Sequence, residues 1–266
     1  MRIPRKLIAE YFGEDAQLRE ARLPNGFQGA LLVIDSEMGG ELVRYLASLS
    51  ETGHLTQQSA MSLARPDRLV FHYERLMALA FVLTPRPDRA LLLGLGGGAM
   101  ARYAGGAFPQ TRLTLVERSA EVIDIALRWF GLGGEVVRAD AHAFLGRTEE
   151  TWDTILVDLY DAGGVVTPPD GFWERCAARL SENGVIAVNW ADFAGPDHGR
   201  AEAERLAARF PHALYVTPRR RGDNLVQFVS RAKLPDNLDE ALPGAARLQR
   251  ARSTLSRCLV STSWPA

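Results

Sequence analysis

Several features are scarce in this 266-residue chain, and each scarcity closes off a class of protein. Cysteine occurs only at Cys176 and Cys258, far apart and without metal-ligand spacing. That pattern argues against a disulfide framework and against a bound metal, and for a reducing compartment. No run of about 18 apolar residues suggests a membrane span. The N-terminal "MRIPRKLIAEYFGEDAQ" meets Glu10 and Glu14 before any unbroken apolar stretch, so it does not read as a signal peptide. Net charge is scarce too: 31 basic against 32 acidic residues leave −1. No global field therefore points to nucleic acid or a membrane surface. Internal repeats and low-complexity tracts are missing as well. Together these absences lead to the expectation of a cytoplasmic protein that handles small molecules.

What the chain does have is apolar material, 47% of its residues, enough for one large domain or a domain with an appendage. From Ala90 onward short apolar runs alternate with helical spacing. "ALLLGL" (90–95), "RLTLVE" (112–117), "EVVRAD" (135–140), "DTILVDLY" (153–160) and "GVIAVNW" (184–190) read as strands. "SAEVIDIALRWF" (119–130) places Val122, Ile125, Ala126 and Trp129 on one helical face, and "DGFWERCAARLSENG" (170–184) predicts a helix stopping at Gly184. Such alternation predicts a parallel sheet covered on both faces. "HALYVTP" (212–218) and "NLVQFVSR" (224–231), separated by "RRRGD", predict an antiparallel hairpin at the sheet edge. Residues 1–66 read as a small β-rich domain, 67–235 as the main α/β domain and 236–266 as a basic, solvated, partly helical tail that packs on or extends it. A single helix is expected across "DRLVFHYERLMALAFVL" (67–83).

The densest signal is "LLLGLGGGAMARYAGG" (91–106), in which Gly94, Gly96, Gly97 and Gly98 stand between a strand and a helix. Glycines allow tight turns and close approach of backbone to a ligand. A strand feeding such a turn and a helix N-terminus is a nucleotide-binding arrangement. GxGxxA, read from Gly94 through Ala99, fits dinucleotide and S-adenosylmethionine sites equally. Glu117 ends the second strand, where an acid can accept from both ribose hydroxyls. Asp140, followed by Ala141, comes after the third strand, where it can accept from an adenine amine or serve as a helix N-cap. Asp158 and Asp161 in "ILVDLYDAGG" lie at the C-terminal end of the fourth strand, the edge at which open α/β sheets bind ligands.

The ordered set "LLLGLGGGAMARYAGGAFPQTRLTLVERSAEVIDIALRWFGL", "VVRADAHAFL", "DTILVDLYDA" and "LSENGVIAVNW" resembles the spermidine synthase family of aminopropyltransferases, over roughly residues 68–230. The resemblance implies an α/β fold: a Rossmann-like, methyltransferase-type seven-stranded sheet with a small N-terminal β-domain. It implies that the glycine loop cradles decarboxylated S-adenosylmethionine, S-adenosylmethionine or the product methylthioadenosine, with no metal. It implies that Glu117 binds ribose, Asp140 binds adenine, Asp158 helps deprotonate the attacking amine, and Asp161 holds the amine substrate. A homodimer is among the assemblies it implies. The chain departs from the family at several points. The family loop reads GGGDGG, its Asp contacting the aminopropyl amine, and Gly97 stands at that position. "RLVFHYE" replaces D-E-x-x-Y-H-E, with His72 and Tyr73 in swapped order as candidate substrate contacts. Gln57 or Gln58 corresponds to a family glutamine near the ribose. Arg219, Arg220 and Arg221 stand where the family carries a substrate-facing aromatic. The lost loop acid keeps a methyltransferase in view as the alternative, and a non-catalytic nucleoside or polyamine binder as a third reading. An NAD dehydrogenase leaves "RADAHAF" and "ILVDLYDA" without a role.

Overall fold

The computed structural model describes residues 3, 5–24, 29–161, 164–165, 167–190, 196–218, 224–235, 238 and 258–263. The chain begins with α1 (Arg5–Phe12) and a four-stranded antiparallel meander of β1 (Gln17–Arg22), β2 (Gly29–Met38), β3 (Glu41–Ser50) and β4 (Leu55–Ser62), in spatial order 1-2-3-4. Residues 30–34 of β2 are buried without alternation because both faces of this sheet are covered. Ala30, Leu32 and Ile34 pack with Ile8 and Phe12 of α1, whereas Leu31, Val33, Leu46 and Met61 pack on Ile125 and Phe130. Arg44 fastens that second contact. Its guanidinium is paired with buried Asp35 at 2.7 Å, donates to the Trp129 carbonyl at 2.9 Å and lies 5.1 Å from the Trp129 ring.

The helix expected over 67–83 is two short helices, α2 (His72–Met77) and α3 (Ala80–Leu83). Residues 67–71 stay non-helical because the Glu74 carboxylate accepts the Phe71 N–H at 3.0 Å and so starts the helix at residue 72. Next come β5 (Arg89–Leu93), α4 (Ala99–Ala107), β6 (Arg112–Glu117), α5 (Ala120–Trp129), β7 (Val136–Arg138), α6 (Ala141–Arg147) and β8 (Trp152–Val157). A two-residue pair, β9 (Tyr160–Asp161) with β10 (Gly164–Val165), precedes α7 (Phe172–Ala178), β11 (Leu180–Trp190), α8 (Pro196–Ala207), β12 (His212–Pro218), β13 (Leu225–Ser230) and β14 (Cys258–Ser261). Strand order in the main sheet is 14-12-13-11-8-5-6-7, parallel from β11 through β7, with β13 antiparallel to both β11 and β12. Side chains of β5 alternate between two cores, Ala90 and Leu92 on one face and Leu91 and Leu93 on the other. Two covered faces explain why that strand is apolar throughout.

Two elements differ from expectation. The helix over 170–184 ends at Ala178, and Gly184 lies inside β11. A Cβ on Gly184 would come within 2.8 Å of the Asp153 carbonyl, so this glycine serves strand packing rather than a helix C-terminus. The tail adds an eighth strand to the seven expected. Residues 258–261 pair with β12, satisfying its open edge, and Cys258 is buried there. Arg219–Arg221 and the tail's arginines lie outside the described residues.

Candidate functional site

Chain direction in the main sheet reverses around β5, with β6 on one side and β8 on the other. Such a switch point opens a crevice at the C-terminal ends of the strands. Four of the chain's loops meet there around a cavity of about 510 Å³.

The glycine loop is shaped by its neighbours. Gly94 has φ +93°, and a Cβ on it would lie 2.0 Å from the Asp158 carbonyl oxygen. The close approach of β5 to β8 thus requires glycine at this position. Gly96 and Gly98 also have positive φ, and Gly98 caps α4 in the left-handed conformation. Gly97 differs: its φ is ordinary, but a Cβ there would come within 2.8 Å of the Phe130 ring and 2.9 Å of Ser59 Oγ. The place of the family's loop acid is filled by those two side chains.

Glu117, half-buried at the end of β6, is fixed by backbone. Leu95 N–H donates to one carboxylate oxygen at 3.2 Å and Ser119 N–H to the other at 2.8 Å. Burial raises its pKa while these donors oppose the rise. A carboxylate has room for about four donors, so Glu117 can hold the glycine loop and still accept from a diol in the cavity it borders. Asp140 caps α6 by accepting Ala143 N–H at 2.9 Å, and it also lines the cavity beside Ala141. The cap and ligand roles therefore do not exclude each other.

Asp158 is the first residue past β8, its N–H donating to the Leu93 carbonyl at 2.9 Å. Its carboxylate accepts from Asn189 Nδ2 at 2.8 Å and from the Tyr73 hydroxyl. Burial raises the Asp158 pKa, and the two donors pull it back in part. Burial and the Asp158 charge push the Tyr73 and Tyr160 hydroxyls above their ordinary range, so both remain donors. Gln58 of β4 and His72 of α2 also line the cavity. Asp161 is placed only by its backbone, in β9 opposite Gly164.

Sequence reasoning passed over Asn189, Tyr160 and His142. Asn189 ends the strand beside β8, and the edge rule that singles out Asp158 could have found it. Its Oδ1 is buried without a partner, as is His142 Nδ1, and both residues face the cavity. Among the described residues, no group of three His, Cys, Asp or Glu is arranged to hold a metal, and no helix is long and apolar enough to cross a membrane.

The fold and site thus define a class: a mixed α/β sheet with a nucleoside-sized crevice at its switch point, framed by an acid after each of three parallel strands. Comparison with known proteins narrows it. The polyamine aminopropyltransferase of Neisseria meningitidis serogroup A is 30% identical over 209 residues, covering 75% of this chain and 78% of the relative. That of Chromobacterium violaceum is 31% identical over 173 residues, 62% of this chain and 66% of the relative. A crystal structure of a probable spermidine synthase from Corynebacterium glutamicum superposes with a TM-score of 0.67 at 20% identity, covering 93% of this chain and 90% of that one. Human methyltransferase-like protein 13 in complex with SAH gives 0.51 at 23% identity, over 70% and 90% of the two chains. No family model matches the chain. On these similarities the chain belongs to the polyamine aminopropyltransferase family.

Proposed function

We propose that the protein is an aminopropyltransferase of polyamine biosynthesis, moving an aminopropyl group from decarboxylated S-adenosylmethionine to a small amine and releasing methylthioadenosine. The observation that carries this reading is Asp158, held by Asn189 and Tyr73 at the cavity wall opposite the glycine loop. Glu117 takes the ribose hydroxyls and Asp140 the adenine amine, with Ala141, Gln58 and the loop glycines shaping the rest of the nucleoside pocket. The unpartnered Asn189 Oδ1 and His142 Nδ1 are what a site awaiting a polar ligand leaves open.

The chemistry requires a neutral amine, whereas free alkylamines hold a proton up to a pKa of about 10. Asp158 accepts a hydrogen bond from the amine and orients its lone pair at the carbon attached to the sulfonium. A C–N bond forms, the C–S bond breaks with its electrons going to sulfur, and Asp158 takes up the ammonium proton. An environment that raises the Asp158 pKa makes it a better proton acceptor near neutral pH. His72, Tyr73 and Asp161 form the side of the pocket offered to the amine.

Methyl transfer from S-adenosylmethionine is the competing reading, favoured by one observation: the glycine loop presents no acid at Gly97. A transfer assay separates the two. The protein is supplied with each donor and a panel of di- and polyamines, and released nucleoside is identified. Methylthioadenosine from the decarboxylated donor supports the proposal. S-adenosylhomocysteine from S-adenosylmethionine, with no methylthioadenosine, overturns it.

A further inference from the structure

Behind the glycine loop lies a second, smaller cavity of about 30 Å³, bordered by Gln58, Ser59, Tyr73, Glu74, Gly94–Gly96 and Asp158. It shares Gln58, Tyr73, Asp158 and the loop glycines with the main crevice. Its size suits a single water or ammonium group. Glu74 is an acid in this wall that the chemistry above leaves unused.

Glu74 is 2% exposed, with Phe71 N–H donating to its carboxylate at 3.0 Å. Burial, with the charge of Asp158 adding to it, pushes its pKa up to about 8. Arg102 is the cation that opposes this rise. Its guanidinium is directed at the Pro66 and Gly97 carbonyls and lies 5.9 Å from the Phe130 ring, and Arg102 does not border the small cavity. Two carboxylates therefore flank one small space. A separate observation points to a donor-bearing ligand at the same place: Asn189, 4% exposed, bonds Asp158 through Nδ2 and leaves Oδ1 without a partner. The crowding of Gly97 by Phe130 and Ser59 keeps any loop side chain out of this corner, so the counter-charge has to come from another element.

We infer that Glu74 is the counter-ion for the terminal ammonium of the transferred chain, and that it thereby selects a decarboxylated donor over the carboxylated parent. This assignment rests on the aminopropyl-transfer reading. An ammonium between Glu74 and Asp158 relieves their mutual repulsion, whereas a carboxylate brought to the same corner adds to it.

The test is calorimetric titration of the full chain and of Glu74→Gln with methylthioadenosine, decarboxylated S-adenosylmethionine and S-adenosylmethionine. Methylthioadenosine carries no ammonium and serves as the internal reference. The wild type is expected to bind the decarboxylated donor at least about 10-fold tighter than S-adenosylmethionine. In the variant, affinity for the decarboxylated donor should fall about 10–100-fold, the range for one charge-assisted hydrogen bond. Affinity for methylthioadenosine should stay within about threefold, the scale of minor repacking, and the gap between the two donors should close. Equal loss for all three ligands makes Glu74 a helix-capping residue only and overturns the inference, as does no loss at all. A wild type that binds methylthioadenosine but does not prefer the decarboxylated donor overturns the Glu74 assignment and leaves the nucleoside site standing. A wild type that binds none of the three overturns the site reading itself. Should Glu74→Gln fail to fold by circular dichroism, Glu74→Asp, which keeps the charge on a shorter stem, is titrated the same way. Loss confined to the decarboxylated donor supports the inference, and uniform loss overturns it.

Discussion

The two ends of the crevice treat their acids differently. At the nucleoside end, Glu117 and Asp140 are met by backbone N–H groups of the loops and helix that follow them. At the transfer end, Asp158 is met by side chains, while Glu74 has one N–H bonded at 3.0 Å and a second acid as its neighbour. The first pair is part of the frame: folding itself satisfies those carboxylates, and a ligand uses what capacity remains. The second pair is a buried concentration of negative charge that folding leaves poorly compensated. A site of that kind costs stability in the free protein and gains most from a cationic ligand.

Substitutions can break this contrast, and the most damaging is at the hinge between the two ends. Gly94→Ala would drive a Cβ into the Asp158 carbonyl from a backbone with φ +93°. A loss of roughly 2–5 kcal/mol in stability is expected from strain and overpacking, with nucleoside binding abolished. A thermal melt together with methylthioadenosine titration measures both. At the frame end, Glu117→Ala removes the acceptor for Leu95 N–H as well as the ribose contact. Nucleoside affinity should drop by about 1–3 kcal/mol with a parallel fall in Tm. An unchanged affinity in a folded variant removes Glu117 from the ribose site.

The transfer end is expected to show in the pH dependence of stability. Glu74 titrates at about 8 when folded against 4.5 as a free side chain. Between those values the folded state holds a proton that the unfolded state has released, so this group's contribution to stability declines as pH rises across the window and levels off above about 8. Glu74→Gln should therefore gain Tm relative to wild type on going from pH 5 to pH 8, on the order of 5 °C. A constant difference would mean that the carboxylate is ionised throughout. The smallest effect is expected from Asp140→Asn, since Asn caps helices about as well as Asp. Its Tm should move by less than about 2 °C and its nucleoside affinity by less than about fivefold.

Much of this frame was legible in the sequence because it depends on local rules. Strand, glycine turn and helix follow each other within "ALLLGLGGGAMARYAGG", and acids at strand ends fall on the ligand-binding edge by topology alone. The reason for each glycine was not legible. That Gly94 yields to the Asp158 carbonyl and Gly97 to Phe130 depends on residues more than 30 positions away. Glu74 looked like one charge within a helix because nothing local reports that α2 packs beneath the glycine loop. The break between α2 and α3 was hidden for the same reason: one carboxylate bonding back to Phe71 N–H outweighs a helical pattern of apolar residues. The tail strand β14 was missed because its four residues form a strand only by adding to the free edge of β12.

The central claim is that Asp158 activates the amine while Glu117 and Asp140 hold the nucleoside. Asp158→Asn tests it most directly, because Asn keeps the size and most hydrogen bonding but cannot take up the proton. The decisive measurement is the single-turnover rate of this variant with saturating decarboxylated S-adenosylmethionine and amine, alongside its methylthioadenosine affinity. The account predicts a rate lower by about 10²–10⁴-fold, the usual worth of a positioned acid–base group, with nucleoside affinity nearly unchanged. Transfer at the wild-type rate, or an equal loss of rate and affinity, would contradict it.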